Sequence, residues 1–164
     1  MSQNLVKIAA LVLLAFFAAV GAVSVAAQWP ADSPPTTPQA QRSALNSVRS
    51  QVTWLQNRTR TAPNLGHQGY DALWRNFQDL RHSFVALKQT LTPQQAAQGA
   101  NDLAELNVGL DIVEEAFDNY REDVSAGRPA SPAFGVLCGV LRQGSTLWVQ
   151  RLNKTSLRLR IGWR

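Results

Sequence analysis

The chain has 164 residues, of which 45% are hydrophobic, and this size suits one globular domain with its own core. Lysine and arginine number 16 against 11 aspartate and glutamate residues, which gives a formal net charge of +5. The single cysteine, Cys138, excludes a disulfide within these residues and the Cys-x-x-Cys-His motif of c-type haem. Its apolar neighbours favour a buried and inert thiol, and an intermolecular disulfide is the alternative.

The first 27 residues differ from the rest, because Lys7 is their only charge and residues 8–27 are apolar or small apart from Ser24. A basic start, an apolar stretch and small residues before a cut characterise a signal peptide, and Val25-Ala26-Ala27 supplies the small residues. We expect cleavage after Ala27 and export to the periplasm or the extracellular space. About 20 apolar residues also suffice to span a bilayer, so an uncleaved membrane anchor is the alternative.

Residues 28–37 are rich in proline and have no apolar period, which predicts a flexible linker between the signal peptide and the domain. Three helix starts are then predicted where a capping hydroxyl precedes a proline, at Thr37-Pro38, Thr92-Pro93 and Ser131-Pro132. Gln95 completes a capping box with Thr92. Gly127, with Pro129 just beyond it, predicts the end of the third helix.

Apolar residues recur three and four positions apart after each start, which predicts amphipathic helices. The four series are Leu45, Val48, Val52 and Leu55; Tyr70, Leu73, Phe77, Leu80, Phe84, Leu87 and Leu91; Leu103, Leu106, Leu110, Val113, Phe117, Tyr120 and Val124; and Phe134, Leu137, Leu141, Trp148 and Leu152. Short links favour antiparallel neighbours. The sequence therefore predicts an all-α fold, an up-and-down antiparallel four-helix bundle over residues 38–156. Residues 157–164 form a basic tail that is either extended or a last frayed turn.

Charge is segregated along the chain, with eight carboxylates in residues 102–123 and only basic charges from Arg128 onward. One interpretation is that an acidic third helix lies beside basic first and fourth helices and sets the helix order. The other is a basic surface that binds a protein or another anionic partner in the cell envelope. The candidate partner-binding residues are Arg151, Lys154, Arg158, Arg160 and Arg164. We expect no nucleic-acid partner, because export would separate the chain from it and no recognised binding motif occurs.

Metal and catalytic motifs are missing from the sequence. The acidic stripe Asp111, Glu115, Asp118 and Glu122 has helical spacing and is typical of a solvated face; a Ca²⁺ or Mg²⁺ site would need oxygen ligands from elsewhere. Neither of the two histidines, His67 and His82, belongs to a Glu-x-x-His pair of the kind found in di-iron bundles. The nucleophile motif Gly-x-Ser-x-Gly is also absent. We therefore expect no metal, no cofactor and no enzymatic activity.

Trp54, Trp74 and Trp148 each adjoin a core position on a different predicted helix, so they form a candidate pocket or simply belong to the core and its margin. Two function hypotheses follow. The first is a non-catalytic exported bundle that binds a macromolecular partner in the cell envelope or periplasm through a charged helical face. The alternative is a carrier of a small ligand or cofactor in the tryptophan-lined interior. The oligomeric state stays open.

One short segment, Leu91-Thr92-Pro93-Gln94-Gln95, is similar to the Leu-Thr-x-x-Gln signature of Spy-like periplasmic stress chaperones. That family is exported, all-helical and without a catalytic site. The similarity covers five residues and occurs once, whereas the family typically has two copies, and it coincides with the capping box of Thr92. No family is assigned from it.

Export gives the first testable prediction. N-terminal sequencing of the protein isolated from its native source should begin at or near Gln28, because signal peptidase cuts after small residues such as Ala27. A mature chain that keeps Met1 and fractionates with membranes would contradict cleavage and would establish the anchor instead.

Overall fold

The computed structural model describes residues 36–61 and 66–161, with side chains from residue 69 onward in the second range. The predicted signal peptide, nearly all of the linker and Arg164 lie outside these residues. Within them the chain forms four α-helices and no strand, and none of the helices is long and apolar enough to cross a membrane. The helices are α1 (Pro38–Thr61), α2 (Gly66–Thr90), α3 (Pro93–Ser125) and α4 (Ala130–Arg158).

Two of the three predicted helix starts are confirmed. The Thr37 hydroxyl accepts a hydrogen bond from the Ala40 amide at 3.1 Å, and α1 begins at the following proline. Thr92 and Gln95 form the reciprocal capping box: the Gln95 amide donates to Thr92 Oγ1 at 3.2 Å, and the Thr92 amide donates to Gln95 Oε1 at 3.0 Å. These bonds occupy amide groups that no carbonyl inside the helix can reach.

The predicted start at Ser131-Pro132 is wrong. Helix α4 begins at Ala130, and its N-cap is Pro129, whose position has no side-chain capping bond. Pro132 then falls inside the first helical turn, where a backbone amide would have no partner in the helix. The helix can therefore begin before Pro132 without losing an intrahelical hydrogen bond.

Helix α3 ends in a Schellman motif at Gly127, as its glycine predicted. Gly127 has a φ of +73°, its amide donates to the Val124 carbonyl at 3.1 Å, and the Arg128 amide donates to the Asp123 carbonyl at 2.9 Å. This left-handed conformation suits glycine because an L side chain would crowd the backbone.

Helix α4 ends in the same pattern, but an arginine occupies the left-handed position. Arg160 has a φ of 52°, its amide donates to the Leu157 carbonyl at 3.3 Å, and the Ile161 amide donates to the Ser156 carbonyl at 3.1 Å. The turn returns Ile161 to the core, where it is buried together with Leu159. Residues 157–161 are therefore a last helical turn followed by a Schellman turn, and not an extended segment.

The core contains almost every residue of the four predicted apolar series. All of those on α1, on α4 and in the second series are buried, and so are five of the seven on α3. Leu103 is partly buried, and Val124, in the last turn of α3, is exposed. The helical period therefore predicted the face that each helix turns inward.

The closest backbone approaches join α1 to α2, α1 to α4 and α3 to α4. The backbones of α2 and α3 lie further apart, and aromatic rings fill the space between them. The Trp74 and Phe117 rings meet edge to face with centroids 5.0 Å apart, and the Tyr70 and Tyr120 rings stack at 4.8 Å. Such ring pairs stabilise the core beyond the area that they bury.

The Phe117 ring generates a stability prediction. Phe117→Ala should lower the free energy of unfolding by about 3–5 kcal/mol, because the ring is fully buried and its removal leaves a cavity. The control is Glu115→Ala, an exposed position on the same helix, which should change stability by less than about 0.5 kcal/mol. Urea unfolding measures both variants, and equal losses would show that Phe117 does not face the core.

The left-handed arginine generates a second stability prediction. Arg160→Gly should be more stable than Arg160→Ala by about 1 kcal/mol, because both variants remove the same charge and only glycine avoids the backbone penalty at positive φ. Thermal or urea unfolding of the two variants side by side makes the comparison. Equal stabilities would contradict a left-handed conformation at residue 160.

Candidate functional site

Helices α1 and α4 lie against each other, and neither contains an acidic residue. Together they carry eight basic residues: Arg42, Arg49, Arg58, Arg60, Arg142, Arg151, Lys154 and Arg158. Like charges on adjacent helices repel, so some other contact must hold the seam between the two helices together.

Neutral acceptors hold this seam. The Arg49 Nη2 group donates to Asn153 Oδ1 at 3.1 Å and to Ser156 Oγ at 3.0 Å. Further along, the Arg142 guanidinium donates to the Thr59 carbonyl at 3.2 Å. These bonds fix both arginine side chains, but a neutral acceptor does not cancel their charge. The seam therefore keeps a net positive charge.

A groove of about 460 Å³ opens at one end of the seam. Its lining combines two arginines, two asparagines, a serine and three apolar residues: Arg42, Arg49, Asn46, Asn153, Ser156, Leu45, Leu157 and Ile161. No carboxylate is among these residues. We call this lining the α1–α4 groove, and its chemistry suits an anion that carries an apolar group.

Arg49 belongs to the polar lining of the groove and leaves part of its hydrogen-bonding capacity unused among the described residues. Its Nε is buried and has no acceptor among the described residues, and its two seam bonds both come from Nη2. Within the described part of the chain, Nη1 also has no acceptor. An unpaired guanidinium N–H favours a carboxylate or phosphate oxygen, because a charged acceptor forms the stronger bond.

The structure divides the five predicted partner-binding residues. Arg151 pairs with Glu105 of α3 at 2.9 Å, and Arg158 pairs with the buried Asp102 of α3 at 3.0 Å. Lys154 and Arg160 are exposed and have no ion pair within residues 36–61 and 66–161, and Arg164 lies outside these residues. Two of the five charges are thus compensated inside the molecule.

Sequence reasoning missed Arg42 and Arg49 as site residues because it concentrated on the C-terminal tail. A usable signal was present: the two arginines are seven residues apart, so they lie on one face of a helix that has no acidic residue. Their partners on α4 could not be found this way. Asn153 and Ser156 lie more than 100 positions further along the chain.

The predicted acidic face is partly neutralised. Asp111 pairs with Arg81 of α2 at 3.1 Å, and Asp118 pairs with Arg121 of its own helix. Glu115 and Glu122 are exposed and form no ion pair with any described residue. The described residues also contain no group of three or more metal-binding side chains close enough to hold one ion.

The three predicted pocket tryptophans occupy different environments. Trp54 is 38% exposed on α1. Trp74 lies half-buried beneath the Arg121 guanidinium, 4.8 Å from the ring centre. Trp148 is buried against Gly109, where an added Cβ would lie 2.6 Å from its Nε1. A cavity next to Trp148 measures about 10 Å³, which is the space of one water molecule.

Cys138 is buried at the core side of α4. Burial raises the pKa of its thiol to about 11, while the nearby Arg142 acts in the opposite direction. A thiol with so high a pKa carries almost no thiolate at neutral pH and reacts slowly.

Comparison with known proteins yields no assignment: no family model matches the chain, and neither the curated proteins nor the solved structures contain a match.

Proposed function

We propose that this protein is a non-catalytic, exported helical bundle that binds an anionic macromolecule of the cell envelope or periplasm through the surface formed by α1 and α4. One observation carries the proposal. The described lining of the α1–α4 groove contains no carboxylate, and Arg49 in that lining donates its described hydrogen bonds to neutral acceptors, so the charge of Arg49 is available to a partner. Export is supported by the apolar residues 8–27 and by the small residues before Gln28.

The proposal includes an up-and-down antiparallel order of the helices. Hydrogen bonds across the seam support it for one pair: Arg49 bonds Asn153, Gln56 bonds Thr146 at 3.4 Å, and the Thr59 carbonyl accepts from Arg142. In these three pairs, residues with successively higher numbers on α1 bond residues with successively lower numbers on α4. This pattern supports opposite directions for the two helices.

Electrostatics supports a protein or other polyanion as the partner. The acidic charge of the helices is concentrated on α3, while α1 and α4 carry none. A surface whose charges have one sign attracts a partner of opposite charge. At physiological ionic strength salt screens this attraction over about 8 Å, and nearby counter-charges would weaken it further. Arg151 and Arg158 pair with carboxylates of α3, whereas Arg49 and Lys154 have no ion pair among the described residues.

The alternative, a small-ligand carrier, has less support. A carrier that used Trp54, Trp74 and Trp148 would need interior space, but Trp54 is at the surface and the cavity beside Trp148 holds about one water. A ligand could enter there only if Trp148 moved away from Gly109.

Charge removal at the groove tests the proposed function. The double variant Arg42→Gln/Arg49→Gln should bind fluorescently labelled poly-L-glutamate about tenfold more weakly, since two charge-assisted contacts of the kind seen at interfaces are lost. Fluorescence anisotropy at low and high NaCl measures the affinity. Binding of the unmodified protein should weaken as salt rises, because the contacts are exposed to solvent.

The matched control is Arg75→Gln/Lys88→Gln on α2, which removes the same charge from another surface. We expect this control to keep the affinity within about twofold, as exposed charges away from a contact surface contribute little. Equal losses in both double variants would show that poly-L-glutamate responds to net charge alone, and would contradict a site on α1 and α4. Circular dichroism verifies that both variants stay helical.

A further inference from the structure

The α1–α4 groove has an apolar side as well as a cationic one. Leu45 and Ile161 are buried beneath it, whereas Leu157, at the end of α4, is 60% exposed. Leu157 is the most exposed of the large hydrophobic side chains that the described residues contain. Leu157 therefore places an exposed apolar side chain in the lining of a basic groove. A purely anionic partner would not contact this apolar side chain.

On the polar side of the groove, hydrogen bonds hold the Arg49 side chain in one orientation. Two bonds from one nitrogen, to Asn153 and Ser156, orient its guanidinium and leave other N–H groups without an acceptor in the described part of the chain. Because the Arg49 side chain is already ordered, it loses little further conformational entropy when a ligand oxygen binds it. Asn46 and Asn153 add amide groups to the same lining.

We propose that the groove binds a protein segment in which a carboxylate is next to a large apolar side chain. The carboxylate binds Arg49, and the apolar side chain packs on Leu157 above Leu45 and Ile161. This inference rests on the proposed function, since it specifies which anionic partner the surface formed by α1 and α4 takes.

Size and chemistry favour such a segment over a uniform polyanion. A volume of about 460 Å³ lies within the range of sites that take a compact group. A polysaccharide or phosphate polymer would pair with the arginines and leave Leu157 in water. A segment with an apolar side chain also removes that leucine from water, and this burial contributes favourably to the free energy of binding.

Two peptides of equal length and charge test the inference on the full chain. One alternates glutamate with leucine, and the other alternates glutamate with serine. We expect the first to bind about tenfold more tightly, because only its leucines can cover Leu157. Leu157→Ser should abolish this advantage, and Arg49→Gln should weaken both peptides. Fluorescence anisotropy with labelled peptides gives the affinities.

The control is Val136→Ser, since Val136 is another exposed apolar residue of α4, 54% exposed and outside the groove. It should leave both affinities unchanged. Equal binding of the two peptides, or an advantage of the leucine peptide that survives in Leu157→Ser, would overturn the inference while the basic surface stands. Failure of both peptides to bind the unmodified protein would overturn the proposed function as well.

Discussion

The contact between α1 and α4 is the constraint on which the rest of the structure depends. Both helices carry only positive charge, so the contact must overcome their repulsion through apolar burial and neutral hydrogen bonds. Val48 and Val52 of α1 line one small cavity in the core together with Trp148 and Leu152 of α4. At the seam, Arg49 donates to neutral acceptors of α4. The charges of Arg49 and Arg142 therefore stay beside neutral acceptors of the neighbouring helix, and the groove lies at one end of this contact.

Helix α3 compensates the basic charge on one side only. Its buried Asp102 and its Glu105 take Arg158 and Arg151 of α4, while Arg81 of α2 bonds Asp111 and Glu114. These pairs link α3 to both of the helices that contact it. The side of α4 that faces α1 has no such carboxylate. The basic groove and the acid-rich helix are thus two results of one distribution of charge along the chain.

Much of the fold could be predicted because the information for it is local. The spacing of apolar residues predicted the core face, and Thr92 and Gly127 predicted a helix start and a helix end. The tail was ambiguous because its apolar residues Leu157, Leu159 and Ile161 occupy alternate positions, as in a strand. In the structure Leu159 and Ile161 are buried by a helix end with Arg160 in the left-handed conformation. The groove depends on contacts between residues more than 100 positions apart, which no local pattern contains.

The binding surface that we propose lies on α1 and α4. Nuclear magnetic resonance of the ¹⁵N-labelled protein, titrated with the glutamate–leucine peptide, tests it most directly because every amide reports separately. We predict that the largest chemical-shift changes fall on Asn46 and Arg49 of α1 and on Asn153, Ser156 and Leu157 of α4. Largest changes on α2 or α3, or changes spread evenly over the surface, would contradict the account.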